Sequence, residues 1–184
     1  MTIELAETNS ERAELQALFS HVFEGISDDA VPRVEHDDLY APLLPLIRDA
    51  EGSLLAAAMS CRTELASAAI MASRIGRGDP FGVIGLLDKH SELDLVAVQP
   101  SARGRGYGSR LIQWLDSELE HRGVRAWFGN VTVNLETDRL REFYRRHGFE
   151  IVPDFQPLPP LLGKSWMKRD AQMPQFYFYK RPGN

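Results

Sequence analysis

The chain holds a single cysteine, Cys61, among its 184 residues. One thiol makes no internal disulfide and no cysteine-based zinc site, so neither a disulfide framework nor a cysteine-ligated metal holds this fold together. Cys61 ends an apolar run and reads as a small buried hydrophobe, not as a nucleophile. Excess positive charge is missing too. The formal net charge is -5, which argues against nucleic acid or an anionic membrane as partner, since both need a basic surface. Long hydrophobic runs are also absent: none approaches the roughly 20 residues that span a bilayer. The opening Met1-Thr2-Ile3-Glu4-Leu5-Ala6-Glu7 is short and acidic where a secretory signal is basic and then apolar. The expectation is a cytoplasmic protein.

What is present suits an ordinary globular domain. Hydrophobic residues at 43% against charged residues at 26% are enough to fill a core, and the length fits one domain, residues 1–184, with no internal repeat. Thr2 to Ala6 alternates like an edge strand. Thr8 and Glu11 have capping-box spacing ahead of a helix that carries Leu15, Leu18, Phe19 and Val22 on one face and stops at Gly25. Residues 26–42 read as an acidic loop whose Glu35, His36, Asp37 and Asp38, being consecutive, do not converge on a metal. Leu43 to Ala50 is expected to form a short second helix, Ser53 to Cys61 a buried strand, and residues 62–75 a helix. Gly76 to Pro80 is a loop.

Glu92 to Val98 is the firmest strand, with Leu93, Leu95 and Ala97 on one side and Glu92, Asp94, Val96 and Val98 on the other. A glycine-rich turn follows, then Leu111, Ile112, Leu115 and Leu119 at helical spacing up to Gly123. Arg125 to Val133 is the next strand, so the unit is strand–helix–strand with parallel strands. Leu135 to His147 reads as a helix capped by Asn134, with Leu140, Phe143, Tyr144 and His147 on one face. Phe149 to Val152 and Phe176 to Lys180 read as strands. The stretch 153–174, with five prolines, Trp166 and Met167, is too apolar for a linker and reads as a lid or pocket wall.

The turn itself is Arg103-Gly104-Arg105-Gly106-Tyr107-Gly108-Ser109. Alternating glycines leave backbone N–H groups bare where a helix begins, and that is a phosphate cradle in physical terms. No Gly-Lys-Ser or Gly-Lys-Thr follows it, which excludes a P-loop. A dinucleotide site needs a different glycine spacing and an acidic residue at the end of the next strand, and this chain has neither. The plain alternative is a tight turn and nothing more, although three glycines cost more chain entropy than a turn requires.

Arg103, Gly106 and Gly108, preceded by Val98-Gln99-Pro100, match the R/Q-x-x-G-x-G/A pattern of the GNAT N-acyltransferase superfamily. Phe143-Tyr144-Arg145-Arg146-His147-Gly148-Phe149 resembles the F-Y-x-x-x-G-F that ends the family's fourth helix. The two together cover about residues 92–152. The resemblance implies a mixed α/β fold in which a central mixed sheet with two splayed parallel strands is flanked by helices. It implies acetyl-CoA as co-substrate with no metal, the backbone of Val96, Ala97 and Val98 along its pantetheine arm, and the N–H groups from Gly104 to Ser109 on its pyrophosphate. Arg103 and Arg105 would add charge there, or else be solvated.

The implied reaction is attack of an amine on the thioester, with a strand N–H near Val98 donating to the carbonyl oxygen. By the same resemblance Tyr144 is the acid that protonates the departing thiolate; its alternative is a core aromatic. Where many family members carry Asn and Ala, this chain has Thr137 and Leu140. The second splayed strand, Gly129-Asn130-Val131-Thr132-Val133, holds no carboxylate, so the base stays open between Glu92 and Asp94, either of which also suits a surface charge. The expected acceptor is a small-molecule or peptide amine, bound between residues 26–42, the far strand ends and 153–174, and a homodimer is allowed. A non-catalytic acyl-CoA-binding module and transfer of another acyl group are the alternatives.

Overall fold

The computed structural model describes residues 2–132, 136–166 and 174–183. In chain order the elements are β1 (Ile3–Leu5), α1 (Asn9–Val22), α2 (Asp37–Tyr40), β2 (Pro45–Arg48), β3 (Leu54–Cys61), α3 (Glu64–Arg74), β4 (His90–Val98), α4 (Tyr107–His121), β5 (Ala126–Val131), α5 (Thr137–Arg146), β6 (Glu150–Ile151) and β7 (Phe176–Lys180). The strands form one mixed sheet in the order β1-β2-β3-β4-β5-β7-β6. β1–β2, β2–β3, β5–β7 and β6–β7 are antiparallel, and β4 and β5 run parallel. At the start of that parallel pair the Lys89 carbonyl accepts from Arg125 N at 2.8 Å and Ala126 N at 3.1 Å. The chain divides into two compact units, Met1–Cys61 with Leu93–Asp116 and Arg62–Glu92 with Ser117–Asn184.

In the first unit the capping box forms as the spacing implies. Thr8 Oγ1 accepts from Glu11 N, and the Glu11 carboxylate accepts from Thr8 N at 2.8 Å. Leu15, Leu18 and Phe19 of α1 bury against Leu44, Leu46, Ala57, Met59 and Ala97. One feature had no sequence signal. Arg12, on the same helix, is buried and forms a two-pronged pair with Asp37 at 2.5 and 2.8 Å while donating to the carbonyls of Ala6 and Pro32. The acidic loop is therefore tied to α1, and Glu35, held by Asn9 and Arg33, titrates down at about 2, chiefly because its own backbone N–H donates to the carboxylate. Asp37→Ala leaves the buried guanidinium without its counter-ion and is expected to cost about 1–3 kcal/mol, read from the urea midpoint. Asp28→Ala, exposed in the same loop, is expected to stay within about 0.5 kcal/mol.

The expected helix over Leu43–Ala50 is instead a bridge at Leu43 and strand β2, with Leu5 opposite Pro45 and Leu46 opposite Ala57. Two reasons explain the difference. Pro45 has no N–H for a helical bond. Leu43, Leu44, Leu46 and Ile47 are all buried, which a strand covered on both sides allows and a one-faced surface helix does not. The expectation of a helix over 62–75 is met by α3, whose cap Thr63 accepts from Ala66 N at 3.2 Å.

In the second unit the register sorts the aromatic residues. Asn130 is opposite Tyr177 and Phe128 opposite Tyr179, while Gly129 is opposite Phe178 and Val131 opposite Phe176. Side chains alternate along a strand, so one face carries Phe128, Asn130, Tyr177 and Tyr179, and the other Trp127, Phe176 and Phe178. The first face is covered by Ala69 of α3, Val83, Leu158 and Trp166. From residues 153–166, Leu158 and Trp166 are buried in this core, while Pro153 to Pro157 stay exposed. A two-residue turn at Leu162 (φ 53°) and Gly163 (φ 73°) lets Leu161 and Lys164 exchange both backbone bonds at 3.0 Å, and Trp166 Nε1 donates back to the Leu161 carbonyl at 2.9 Å. Met167 and the rest of 167–173 lie outside the described residues, as does the expected cap Asn134.

His90 anchors this core. It is 2% exposed, its ring stacks on Trp166 with centroids 3.8 Å apart, and Nδ1 lies 2.9 Å from the Leu86 carbonyl. A carbonyl only accepts, so Nδ1 carries the proton and Nε2 accepts from the N–H of Thr63 at 3.4 Å. Burial, aided by the Arg62 charge, holds the ring neutral with its pKa lowered to about 4.

Candidate functional site

The coenzyme-side candidates lie in the first unit. β4 ends at Val98, Pro100–Ala102 make one 3-10 turn, and the glycine turn leads into α4. Gly104 and Gly106 sit at φ 78° and 79°, the left-handed region that other residues enter only at a cost. Gly106 O accepts the first helical bond from Arg110 N at 3.1 Å. The N–H groups of Tyr107, Gly108 and Ser109 therefore belong to the first helical turn, where no helix carbonyl is available to accept them. A Cβ built on Gly104 or Gly106 meets nothing within 4 Å, so the cradle is open above both positions.

The side chains of this stretch do less than its backbone. Tyr107 turns its ring into the core at 8% exposure. Arg105 is exposed. Arg103 folds back so that Nε donates to the Val98 carbonyl at 3.4 Å, tying the turn to the strand end, a role the sequence did not signal. Val96 and Val98 are half-buried and Ala97 is buried, as the alternation implied. Asp94, two residues upstream on the same side as Val96, combines an exposed surface with a carboxyl pushed up by burial.

The second unit holds Tyr144 and Glu92. Tyr144 lies on the inner face of α5, 7% exposed, its ring stacked on Phe178 at 3.8 Å and edge-on to Phe149 at 5.7 Å. Burial pushes its phenol well above the ordinary value, so the O–H stays protonated at neutral pH. Phe149 N donates to the Tyr144 carbonyl at 3.1 Å, and Gly148, at φ 79°, makes the reversal that brings Phe149 back onto the helix. Glu92 is half-buried on β4, and its charge contributes to raising the Tyr177 phenol on β7. The alternation of Phe176-Tyr177-Phe178-Tyr179 puts the two phenols on one face of β7.

Among the described residues no group of His, Cys, Asp and Glu is arranged to hold a metal ion, and no helix is long and apolar enough to cross a membrane. A surface hollow of about 360 Å³ is lined by Glu120, Gly123, Val124, Arg125, Arg181 and Pro182. It includes none of the candidate residues.

Comparison with known proteins gives a consistent picture. Residues 67–151 match the family model described as the acetyltransferase (GNAT) domain, a span that includes both the glycine turn and the Phe143–Phe149 stretch. The fold is that of the GNAT acetyltransferases. A GNAT acetyltransferase from Staphylococcus aureus Mu50 aligns over 98% of this chain and 99% of its own with a TM-score of 0.64 at 14% identity. An aminoglycoside 6'-N-acetyltransferase complexed with coenzyme A aligns over 100% and 98% with a TM-score of 0.61 at 17% identity. The ribosomal-protein-S18-alanine N-acetyltransferase from Escherichia coli aligns over 100% and 94% with a TM-score of 0.58 at 15% identity. No curated protein matches the chain's sequence. The family resemblance read from residues 92–152 therefore holds: α4 follows the glycine turn, and the Phe143–Phe149 stretch ends α5.

Proposed function

We propose that the protein is an acetyl-CoA-dependent N-acetyltransferase acting on an amine. The observation that carries this reading is the glycine turn, where two left-handed glycines open the first turn of α4 and leave clear space above it. Backbone donors at a helix start suit a pyrophosphate without needing particular side chains. In this reading the N–H groups from Gly104 to Ser109 would hold the coenzyme's pyrophosphate, with Arg103 and Arg105 adding positive charge. The backbone of Val96 to Val98 would run beside its pantetheine arm. The neighbour complexed with coenzyme A is consistent with this choice of ligand.

Acetyl-CoA supplies an acetyl group already activated as a thioester. The chain's own residues then have three tasks. Glu92 or Asp94 takes the proton from the acceptor amine, because only the neutral amine is nucleophilic. A strand N–H near Val98 donates to the carbonyl oxygen as it gains charge. Tyr144 gives its proton to the departing sulfur, whose conjugate thiol has a pKa of about 8.5, below that of a phenol. Aminoglycoside and peptide-alanine acceptors among the structural neighbours suggest the amine classes to try first.

The test is release of free coenzyme A thiol from acetyl-CoA in the presence of an aminoglycoside, a polyamine and a peptide with N-terminal alanine. The expected result is thiol release that needs both acetyl-CoA and one of the amines, with the amine gaining an acetyl group by mass spectrometry. Binding of acetyl-CoA with no transfer to any amine would instead mark a non-catalytic acyl-CoA-binding module.

A further inference from the structure

Lys180 is a buried cation that the proposed chemistry leaves unused. It ends β7 opposite Trp127, and only 7% of it is exposed. Side chains alternate along the strand, so Phe176, Phe178 and Lys180 share one face. α5 lies on that face and meets it at each of these positions. The Arg141 guanidinium sits 4.2 Å from the centre of the Phe176 ring. Three residues on, the Tyr144 ring stacks on Phe178 at 3.8 Å. Three residues further, at the helix end, the His147 carbonyl accepts from Lys180 Nζ at 3.0 Å.

The end of α5 explains why a cation belongs there. The last carbonyls of a helix have no N–H partner within it and carry the negative end of its dipole. Here the chain reverses at Gly148, and the N–H groups of His147 and Phe149 both donate to the Tyr144 carbonyl, at 3.0 and 3.1 Å. Lys180 holds the next free carbonyl of the same reversal, that of His147. Its ammonium also lies 5.4 Å from the centre of the Phe149 ring, within reach of a cation–π attraction. Phe149 in turn meets the Tyr144 ring edge-on. The phenol is thus gripped between Phe178 and Phe149, and Lys180 fixes the turn that brings Phe149 back. Arg141 secures the helix one turn earlier, where it pairs with Asp154, whose carboxylate accepts from Gln175 Nε2 at 2.6 Å.

We propose that Lys180 is a positioning residue for Tyr144, acting through the end of α5 and not on substrate. Without its ammonium the reversal at His147–Phe149 loosens and the Tyr144 ring gains freedom on Phe178. The consequence for catalysis rests on the acetyltransferase reading above, in which Tyr144 is the acid. A reacting group misplaced by about 1 Å can lose up to about hundredfold in rate.

The experiment is ring-carbon NMR of the full chain labelled at tyrosine, with the Tyr144 signals assigned by their loss in Tyr144→Phe. Lys180→Met keeps the apolar stem and removes the ammonium. It is expected to shift the Tyr144 signals and to speed flipping of that ring about tenfold. Unchanged Tyr144 signals in a folded Lys180→Met protein overturn the proposal. If Lys180→Met does not fold, the parent decides. Its Lys180 ammonium protons must be protected from exchange and show Overhauser contact with the Phe149 ring, and an ammonium that exchanges like a surface lysine overturns the proposal. Where an amine from the panel is acetylated, a double-mutant cycle adds a second reading. Lys180→Met is expected to lower kcat about tenfold in the parent and by no more than about twofold in Tyr144→Phe. Equal losses in both backgrounds make Lys180 a packing residue alone and overturn the proposal. If no amine is acetylated, the tyrosine signals still decide the positioning, so failure of the acetyltransferase reading stays distinguishable.

Discussion

Lowering the pH from 7 to 5 is expected to cost the folded protein about 2 kcal/mol through His90 alone, rising to about 3 kcal/mol by pH 4. The sign follows from which state binds the proton more readily. In the unfolded chain His90 titrates near its ordinary 6.5, whereas in the fold burial lowers it to about 4. The unfolded state thus takes up protons first as the solution is acidified. Stability is complete above pH 6.5 and is lost as the pH falls through the interval between the two values. Structurally, a proton on Nε2 would turn a donor against the Thr63 N–H that now donates to it, and would place a charge between Trp166 and Phe128, 2% exposed to water. The Asp88 charge opposes this shift and the Arg62 charge adds to it. Urea midpoints at pH 7 and pH 5 measure the effect. His90→Phe keeps an aromatic ring against Trp166 and removes the titration, so its stability is expected to change far less between the two pH values. Equal slopes for the two proteins would show that His90 does not titrate as described.

Tyr144→Phe is expected to lower kcat for acetyl transfer by about hundredfold or more, the usual range for loss of a proton donor. The substitution keeps the ring that stacks on Phe178 and Phe149, so stability and acetyl-CoA affinity are expected to stay close to those of the parent. The raised phenol pKa adds a pH signature: with Tyr144 protonated throughout the neutral range, its ionisation produces no alkaline fall in rate between pH 7 and 9. A Tyr144→Phe protein as fast as the parent would make Tyr144 a core aromatic alone.

Local signals carried much of this in the sequence. Thr8 and Glu11 announced a capping box that forms atom for atom. The alternation from Glu92 to Val98 gave the correct sides of β4, and the glycines at 104 and 106 gave a turn that needs left-handed backbone. What was hidden depends on partners distant in sequence. Asp37 looked like one of several solvated carboxylates until Arg12, far upstream, was found buried against it. Arg103 looked like a coenzyme contact, and its visible partner is the Val98 carbonyl. Leu43 to Ala50 was misread because the short apolar run Leu43 to Ile47 has no period of its own, and only the neighbouring strands β1 and β3 decide that it is extended.

The central claim is that the turn before α4 holds the coenzyme, and calorimetric titration with acetyl-CoA tests it most directly. The parent is expected to bind one acetyl-CoA per chain, and Gly106→Glu, which puts a carboxylate at the first turn of α4, to bind it about hundredfold more weakly or not at all. Gly25→Glu carries the same left-handed strain at φ 71° with equally open space but lies at the end of α1, and it is expected to bind like the parent. A parent that does not bind acetyl-CoA, or a folded Gly106→Glu protein that binds it with unchanged affinity, would contradict the account.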